Sequence, residues 1–118
     1  MLRKGFIVWT AVLIMAHVVA GDENTVILAS HESPPYTGRD LLNQGIITEF
    51  VVKAFASQGY ETTIVFTPWK RGLEGTKKGV YDGLFGCWFR SEREQWFIYS
   101  EPIIANELIF LKKKIKRY

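Results

Sequence analysis

The stretch from Gly45 to Thr67, GIITEFVVKAFASQGYETTIVFT, decides the fold. In its first part, from about Gly45 to Gln58, apolar side chains recur on one face at the 3.6-residue period, which predicts an amphipathic helix. Gly59 is well placed to end that helix in a left-handed conformation. In its second part, Glu61–Thr67, β-branched and aromatic residues predict a strand, which Pro68 stops. The apolar stripe of the helix consists of Ile46, Ile47, Phe50, Val51, Ala54 and Phe55.

The segments on either side of this stretch continue the alternation of strand and helix. Thr25–Ser30 (TVILAS) is almost continuously apolar, which is typical of a strand buried on both faces of a parallel sheet. A loop with two prolines, His31–Arg39, follows it. Trp69 to about Lys78 predicts a second, weaker helix. Gly72 and Gly75 each cost such a helix about 1 kcal/mol relative to alanine, unless they let its backbone pack closely on the sheet.

Three more strands and a short helical turn are predicted after the second helix. Leu84–Phe89 (LFGCWF) is the third strand, and Gly86 within it suggests the close approach of another backbone or a ligand. Ser91 and Glu94 have the spacing of a capping box, which predicts a helical turn to about Gln95. Two further strand candidates, separated by Pro102, are Phe97–Tyr99 and Glu107–Leu111.

The order strand, helix, strand, helix, strand predicts an α/β fold with a parallel sheet, two right-handed crossovers and helices on both faces. The chain has 118 residues, which is enough for one such three-layer domain. Ligands of parallel sheets bind at the carboxyl ends of the strands. The loops expected at that edge are His31–Arg39, Pro68–Arg71 and Arg90–Arg93.

The first 20 residues predict a secretory signal peptide. Arg3 and Lys4 precede an apolar run from Phe6 to Ala16, and Val18 and Ala20 occupy the −3 and −1 positions of a small-residue cleavage site. We therefore expect an exported, periplasmic or extracellular protein. The single cysteine, Cys87, excludes an internal disulfide framework, and its apolar neighbours favour burial as a small hydrophobic residue.

The net charge of +3 is misleading because the positive charge is concentrated near the two ends of the chain. Seven of the 15 basic residues lie in the leader or in residues 112–118, which leaves eight against 12 acidic residues between 21 and 111, a net charge of −4. That body has no basic face for a nucleic-acid backbone. Residues 112–118 form a basic tail, and we expect it to be solvated, with binding to anionic lipid or nucleic acid as the alternative.

The chain offers little for catalysis. His31 is the only histidine after the leader, and its neighbours Ser30, Glu32 and Ser33 cannot form a triad with it easily, because adjacent side chains on an extended segment point in opposite directions. A solvated loop histidine is the simpler interpretation. No cluster has the spacing of metal ligands, and no glycine-rich phosphate loop is present. We therefore expect no catalytic residue, no metal and no cofactor.

Arg93, next to the third strand, is the most informative charged residue. A guanidinium pairs bidentately with a carboxylate, so Arg93 is a candidate for binding a ligand carboxylate. The alternative is a surface salt bridge with Glu92 or Glu94. Aromatic faces can sandwich an apolar ligand body or a cation, whereas core packing is their ordinary use. The aromatic candidates are Tyr36, Trp69 and Trp88, of which Tyr36 follows two prolines in a loop where packing has less need of it.

Four segments together resemble the family 3 bacterial extracellular solute-binding proteins, which serve ABC-type uptake systems, many of them for polar amino acids. The resemblance implies a two-lobed fold of the type 2 periplasmic binding class, with a ligand cleft between the lobes. Residues 21–111 would be the N-terminal lobe. The matching segments are PPYTG (34–38), GIITEFVVKAFASQGY (45–60), PWKRGLEGTKKGVYDGLFG (68–86) and SEREQWFIYSEPI (91–103).

The resemblance also assigns roles to individual residues. It implies that Arg93 binds the ligand carboxylate, that the backbone of Gly86 faces the ligand amine, and that Tyr36 is the aromatic of the first loop. Trp88 and Arg90 stand where amino-acid binders carry Ser or Thr, which favours a flatter or more anionic solute. The implied partners are a small carboxylate or amino-acid-like solute and an inner-membrane ABC permease.

The resemblance covers one lobe, so we expect the chain to represent a truncated binding protein. Family members continue into a second lobe after the strand matched by Glu107–Leu111, and their chain returns to lend the first lobe a strand. Without that strand the sheet would keep an exposed edge. The alternative functions are a sensor module of a membrane receptor and a ligand-binding domain of a cell-wall lytic enzyme.

Overall fold

A computed structural model describes residues 24–114 of the chain. The predicted signal peptide and the end of the basic tail lie outside these residues. The described part contains three strands and two α-helices in the expected alternating order. They are β1 (Thr25–Ser30), α1 (Ile46–Ser57), β2 (Glu61–Phe66), α2 (Trp69–Lys77) and β3 (Gly83–Leu84), with 3-10 turns at Leu42–Gln44 and Ser91–Arg93.

The sheet has the strand order β2-β1-β3, and both pairs are parallel. All six residues of β1 pair with β2, in a register that runs from Thr25 opposite Glu61 to Ser30 opposite Phe66. The second pair is shorter, with Leu28 opposite Gly83 and Ala29 opposite Leu84. The prediction of an α/β fold with a parallel sheet is therefore confirmed.

The two helices cover opposite faces of the sheet. Successive residues of a strand point to opposite faces. Leu28 packs with Ile47 and Val51 of α1, whereas the next residue, Ala29, lies beside Gly72 of α2. The sheet is thus the middle of three layers. The buried core is on the α1 face and consists of Leu28, Ile47, Val51 and Phe85, with Val26, Tyr36, Phe55 and Ile64 packed around it.

Helix α1 has the predicted bounds to within one residue, and Gly59 after it has the predicted left-handed conformation, with φ +83°. The predicted apolar stripe is only half correct. Ile47 and Val51 are buried, but Ile46 and Phe50 are each 55% exposed. The reason is the narrow sheet, whose three strands cover one flank of the helix and leave the adjacent flank in solvent.

Gly72 lets the backbone of helix α2 approach the sheet closely. Close packing is one of the two interpretations that the sequence offers for the glycines of this helix. A Cβ on Gly72 would lie 3.3 Å from both Leu84 Cδ1 and Thr67 Cγ2 and 3.6 Å from Ala29 Cβ. Gly72 is accordingly buried. Gly75, one turn later, faces the ring of Tyr81 rather than the sheet.

The third strand is much shorter than predicted. It consists of Gly83–Leu84, and the predicted strand Leu84–Phe89 is wrong from residue 85 onward. Phe85 still donates its backbone N–H to the Ala29 carbonyl at 3.1 Å. Gly86 then takes a positive φ of +74°, which redirects the chain away from the sheet.

The predicted capping box is also wrong. Ser91 is inside the 3-10 turn, the residue before the turn is Arg90, and no side chain caps it. The turn spans three residues, Ser91–Arg93.

The last two predicted strands do not form. Residues 97–99 and 107–111 have no strand partner within residues 24–114. A strand needs a hydrogen-bonding neighbour, and the side chains of the second segment instead face solvent, from 73% exposure at Ile109 to 105% at Phe110. The outer edge of β2 is likewise unpaired in this part of the chain, as expected for the sheet. None of the helices within residues 24–114 has the length and apolarity needed to cross a membrane.

A candidate binding site at the carboxyl edge of the sheet

The carboxyl ends of the three strands bring together residues that are far apart in the sequence. β1 ends at Ser30 and is followed by His31, and the next strand, β2, is followed by Trp69 at the start of α2. β3 is followed by Gly86 and then by the turn that carries Arg93. The edge where we expected a ligand is therefore the edge at which His31, Trp69, Gly86 and Arg93 meet.

His31 is held against Trp69. Their ring centroids are 5.3 Å apart, with the planes at 75°, an edge-to-face contact. The Thr37 hydroxyl donates a hydrogen bond to the His31 backbone carbonyl at 2.7 Å, which fixes the loop at this point. His31 Nδ1 is buried and has no hydrogen-bond partner among residues 24–114. The interpretation of His31 as a solvated loop residue is therefore wrong, because Trp69 covers one side of its ring.

Arg93 lies over the same indole. Its Cζ is 5.2 Å from the centroid of the Trp69 ring, within range of a cation–π interaction. Its Nη1 donates to the Trp88 carbonyl at 3.3 Å. No carboxylate of the described residues forms an ion pair with Arg93, and Glu92 lies instead 3.7 Å from Arg90. The alternative of a surface salt bridge with Glu92 or Glu94 is therefore wrong.

Gly86 brings its backbone close to the other site residues. A Cβ at this position would lie 3.4 Å from Ser30 Oγ, 3.6 Å from Thr37 Cγ2 and 3.8 Å from His31 Cε1. Ser30 is buried, and its hydroxyl donates to the Phe85 carbonyl at 3.2 Å, which ties the end of β1 to the residue before Gly86. The backbone of Gly86 thus lies beside the imidazole of His31.

The five residues named from the sequence have different surroundings. Trp69, Gly86 and Arg93 come together with the backbone of Trp88, whose own side chain is 51% exposed. Tyr36 packs its ring on the core cluster, and its carbonyl accepts a 2.9 Å hydrogen bond from Ile47 of α1. The expectation that packing has little need of Tyr36 is therefore wrong, because its loop folds back onto α1.

Cys87 is half-buried behind this turn. Burial raises the pKa of its thiol, and the nearby positive charge of Arg93 lowers it by less. The thiol is thus protonated at neutral pH, and its half-burial confirms the expected burial only in part.

Two contributors to the site were missed by sequence reasoning. The sequence interpretation of His31 as a solvated residue overlooks its position directly after a buried strand, which places it at the ligand-binding edge. Thr37, 1% exposed, was passed over because nothing in the sequence connects its hydroxyl with the His31 carbonyl. That contact depends on the turn in which Ser33 bridges to Thr37.

The site offers several groups that are suited to binding a small solute. It combines a guanidinium with spare N–H donors, an indole face, an imidazole and an accessible glycine backbone. These groups suit a small planar anion. Within residues 24–114, no three His, Cys, Asp or Glu side chains converge as metal ligands. The site is an open edge rather than an enclosed cavity.

Comparisons with family models, with curated proteins and with solved structures find no match to this chain. The family resemblance therefore rests on the quoted segments, and the functional argument rests on the geometry of His31, Trp69, Gly86 and Arg93.

Proposed function

We propose that this chain is the solute-binding lobe of an exported receptor that captures a small polar carboxylate, of the kind that serves an ABC-type uptake system. The observation that carries the proposal is the Arg93 guanidinium, which is stacked over Trp69 and has no carboxylate partner among the described residues. Export depends on the leader at residues 1–20, and transfer to an inner-membrane permease belongs to the same proposal.

The guanidinium is oriented before any ligand arrives. It presents five N–H donors in a fixed plane, and the Trp88 carbonyl accepts from one of its nitrogens, Nη1. The Trp69 ring restricts the rotation of the plane. A carboxylate can therefore form a bidentate pair with little further loss of side-chain entropy, and charge-assisted hydrogen bonds of this kind contribute about 1.5–3 kcal/mol each.

The surroundings favour a flat or anionic solute. Trp69 supplies an aromatic surface beside the guanidinium, Gly86 supplies backbone polar groups, and the side chain of Trp88, whose carbonyl accepts from Arg93, is half-exposed. The described residues enclose the site from one side, so water remains in contact with a bound solute. Since tight binding requires burial of most of the ligand surface, we expect dissociation constants of about 1 mM. A second lobe that closes over the solute would tighten binding.

Calorimetric titration of the full chain with succinate, L-glutamate and, as an oppositely charged probe, spermidine tests this function. We expect weak heats with the two carboxylates and none with spermidine. Replacement of Arg93 by alanine removes the carboxylate partner, so we expect at least about a tenfold loss of affinity, the equivalent of one charge-assisted hydrogen bond.

The matched control is Lys78→Ala, which removes the same charge from an exposed side chain just past the far end of α2. We expect it to bind the carboxylates like the unchanged chain. Equal affinity of Arg93→Ala and Lys78→Ala, with both variants folded by circular dichroism, would contradict the proposed function.

A further inference from the structure

The outer edge of β2 is an unfilled position in the sheet. Its six residues, Glu61–Phe66, pair with β1 on one side, and no strand of the described part pairs with them on the other. A groove of about 410 Å³ lies beside the start of this strand, between α1 and β2. Its lining residues are Val52, Ala56, Gly59, Tyr60, Glu61 and Thr62.

At this edge, the side chain of Thr62 lacks a hydrogen-bond partner among the described residues. Its hydroxyl Oγ1 is buried and has no hydrogen-bond partner among residues 24–114, although it borders the groove. A free strand edge carries a row of unpaired backbone groups, which is a template for an added strand. In such additions the main chain supplies affinity, and grooves beside the edge receive alternate side chains.

The same chain carries an extended segment that has the complementary properties. Residues 103–111, IIANELIFL, form no strand, and within the described part no hydrogen bond joins two backbone groups of residues 98–114 or links their backbone to that of the body. Leu108, Ile109, Phe110 and Leu111 are 73–105% exposed, so the apolar end of the segment makes almost no contact with its own body. A run that is apolar on both faces is the pattern of a strand covered on both sides.

We propose that residues 107–112 of one copy add as an antiparallel strand to the outer edge of β2 in a second copy. The charges set the direction. The strand edge begins at Glu61, and the donated segment ends at Lys112, so the antiparallel arrangement places the two side by side. Lys113 and Lys114 then lie near a body whose net charge is −4 between residues 21 and 111.

This register also determines which side chains of the donated segment lie on each face of the sheet. With Lys112 opposite Glu61, Leu111 lies opposite Thr62 and Ile109 opposite Ile64. These two positions of β2 face α1, since Ile64 packs on the α1 core. Leu111 therefore enters the groove, Ile109 lies next to Ile64 on the same face, and Phe110 lies opposite Thr63 on the other face.

Light scattering of the full chain over a wide range of protein concentration tests the inference. We expect the mass to rise above that of a monomer, because each copy has one donor segment and one acceptor edge. Ile109→Asp places a charge beside Ile64 on the apolar face that α1 covers and should weaken self-association by about tenfold or more. The matched control is Ile98→Asp, the same substitution at a residue that is 101% exposed and outside the donated segment.

The acceptor edge is tested separately. Ala56→Lys fills the groove and repels the donated lysines, whereas Ala54→Lys changes an exposed residue of the same helix outside the groove. We expect loss of association in the first variant and none in the second. A monomer at every concentration overturns the inference. Association that survives both Ile109→Asp and Ala56→Lys, as association through the leader would, also overturns it.

Cross-linking between copies tests the register. In a Cys87→Ser background, a chain with Thr63→Cys is mixed with a chain with Phe110→Cys under mild oxidation. We expect a disulfide-linked pair, because the two residues lie opposite each other in the added strand. The control mixture pairs Thr63→Cys with Ile98→Cys. Equal cross-linking in the two mixtures would contradict the antiparallel register.

Discussion

Gly45 shows how a single residue ties the loop that carries the candidate site to helix α1. Its φ is +100°, and a Cβ there would lie 2.7 Å from the Tyr36 carbonyl carbon and 2.9 Å from Thr37 Cα. Thr37 in turn bonds the His31 carbonyl. The sequence marks Gly45 as a helix start, but it does not show that two backbones meet there.

Gly45→Ala should therefore destabilise the fold strongly, by about 3 kcal/mol, because strain in the backbone adds to a clash with atoms that cannot rotate away. The control is Gly59→Ala, where φ is +83° but nothing lies within 4 Å of the added Cβ. There we expect about 1 kcal/mol, the cost of the positive φ alone. Urea titration of the two variants measures the difference, and equal losses would contradict the close contact.

The rate at which the Cys87 thiol is alkylated should depend on the charge of Arg93. Burial raises the pKa of the thiol, so its thiolate fraction at neutral pH is smaller than that of a free cysteine, and alkylation by iodoacetamide should be slower in the folded chain than in urea. Arg93 opposes this shift. Arg93→Ala should therefore slow the alkylation of the folded chain further. A faster reaction in a variant that remains folded would show that Arg93 acts by shielding the sulfur and not through its charge.

The same pKa shift sets a dependence of stability on pH. A thiol whose pKa is raised by folding stays protonated in the native state at a pH where it has begun to lose its proton in the unfolded chain. The free energy of unfolding should therefore be unaffected by this group at neutral pH and should fall as the pH rises past the usual thiol pKa.

At the scale of the elements, the sequence predicts best where a segment determines its own structure. β1, α1, β2 and α2 have the predicted bounds to within a residue, since their residue types indicate strand or helix locally and a proline or glycine follows α1, β2 and α2. The third strand, the capping box and the last two strands depend on partners elsewhere. Gly86 redirects the chain, and residues 107–111 meet no neighbouring strand within the described part.

The candidate site shows the same difference between features that a segment determines by itself and features that depend on distant contacts. Its location at the carboxyl edge and the involvement of Trp69, Gly86 and Arg93 could be predicted from the alternation of elements and from the residue types. The burial of Tyr36 and the packing of His31 against Trp69 could not, because both depend on how the loop after β1 folds back onto the body.

One of the buried residues of helix α1, Thr48, is polar. Thr48 is fully buried, and its hydroxyl has no hydrogen-bond partner among the described residues. Valine has nearly the same shape without the hydroxyl, so Thr48→Val should raise the free energy of unfolding by about 1 kcal/mol.

Thr37→Val is the matched control for this substitution. Thr37 is equally buried, but its hydroxyl donates to the His31 carbonyl at 2.7 Å. Loss of the Thr37 hydroxyl should lower the free energy of unfolding by about 1–2 kcal/mol, since the His31 carbonyl loses this hydrogen bond. Urea titration measures the two changes. Effects of the same sign in the two variants would contradict the hydrogen-bond assignment.

At the scale of the whole molecule, the chain divides into a packed body and an extended segment. Backbone hydrogen bonds within residues 24–97 hold the sheet and helices, whereas residues 98–114 form none with the described part. In dilute solution, the amides of the second region should exchange with deuterium as fast as those of an unfolded peptide, while the amides of β1 exchange slowly. Mass spectrometry of the labelled chain measures this difference.

Protection of residues 107–112 should then appear as the protein concentration rises, because strand addition between copies supplies the missing hydrogen bonds. Protection at every concentration would show instead that the segment pairs within its own chain.

The most direct test of the proposed function is a titration of the full chain with succinate, followed by nuclear magnetic resonance of the indole and imidazole groups. Binding at the carboxyl edge should shift the signals of Trp69 and His31 in a saturable manner, and Arg93→Ala should abolish the shifts. Saturable shifts at Tyr60 in the groove beside β2, with Trp69 and His31 unchanged, would contradict a carboxylate site built around Arg93.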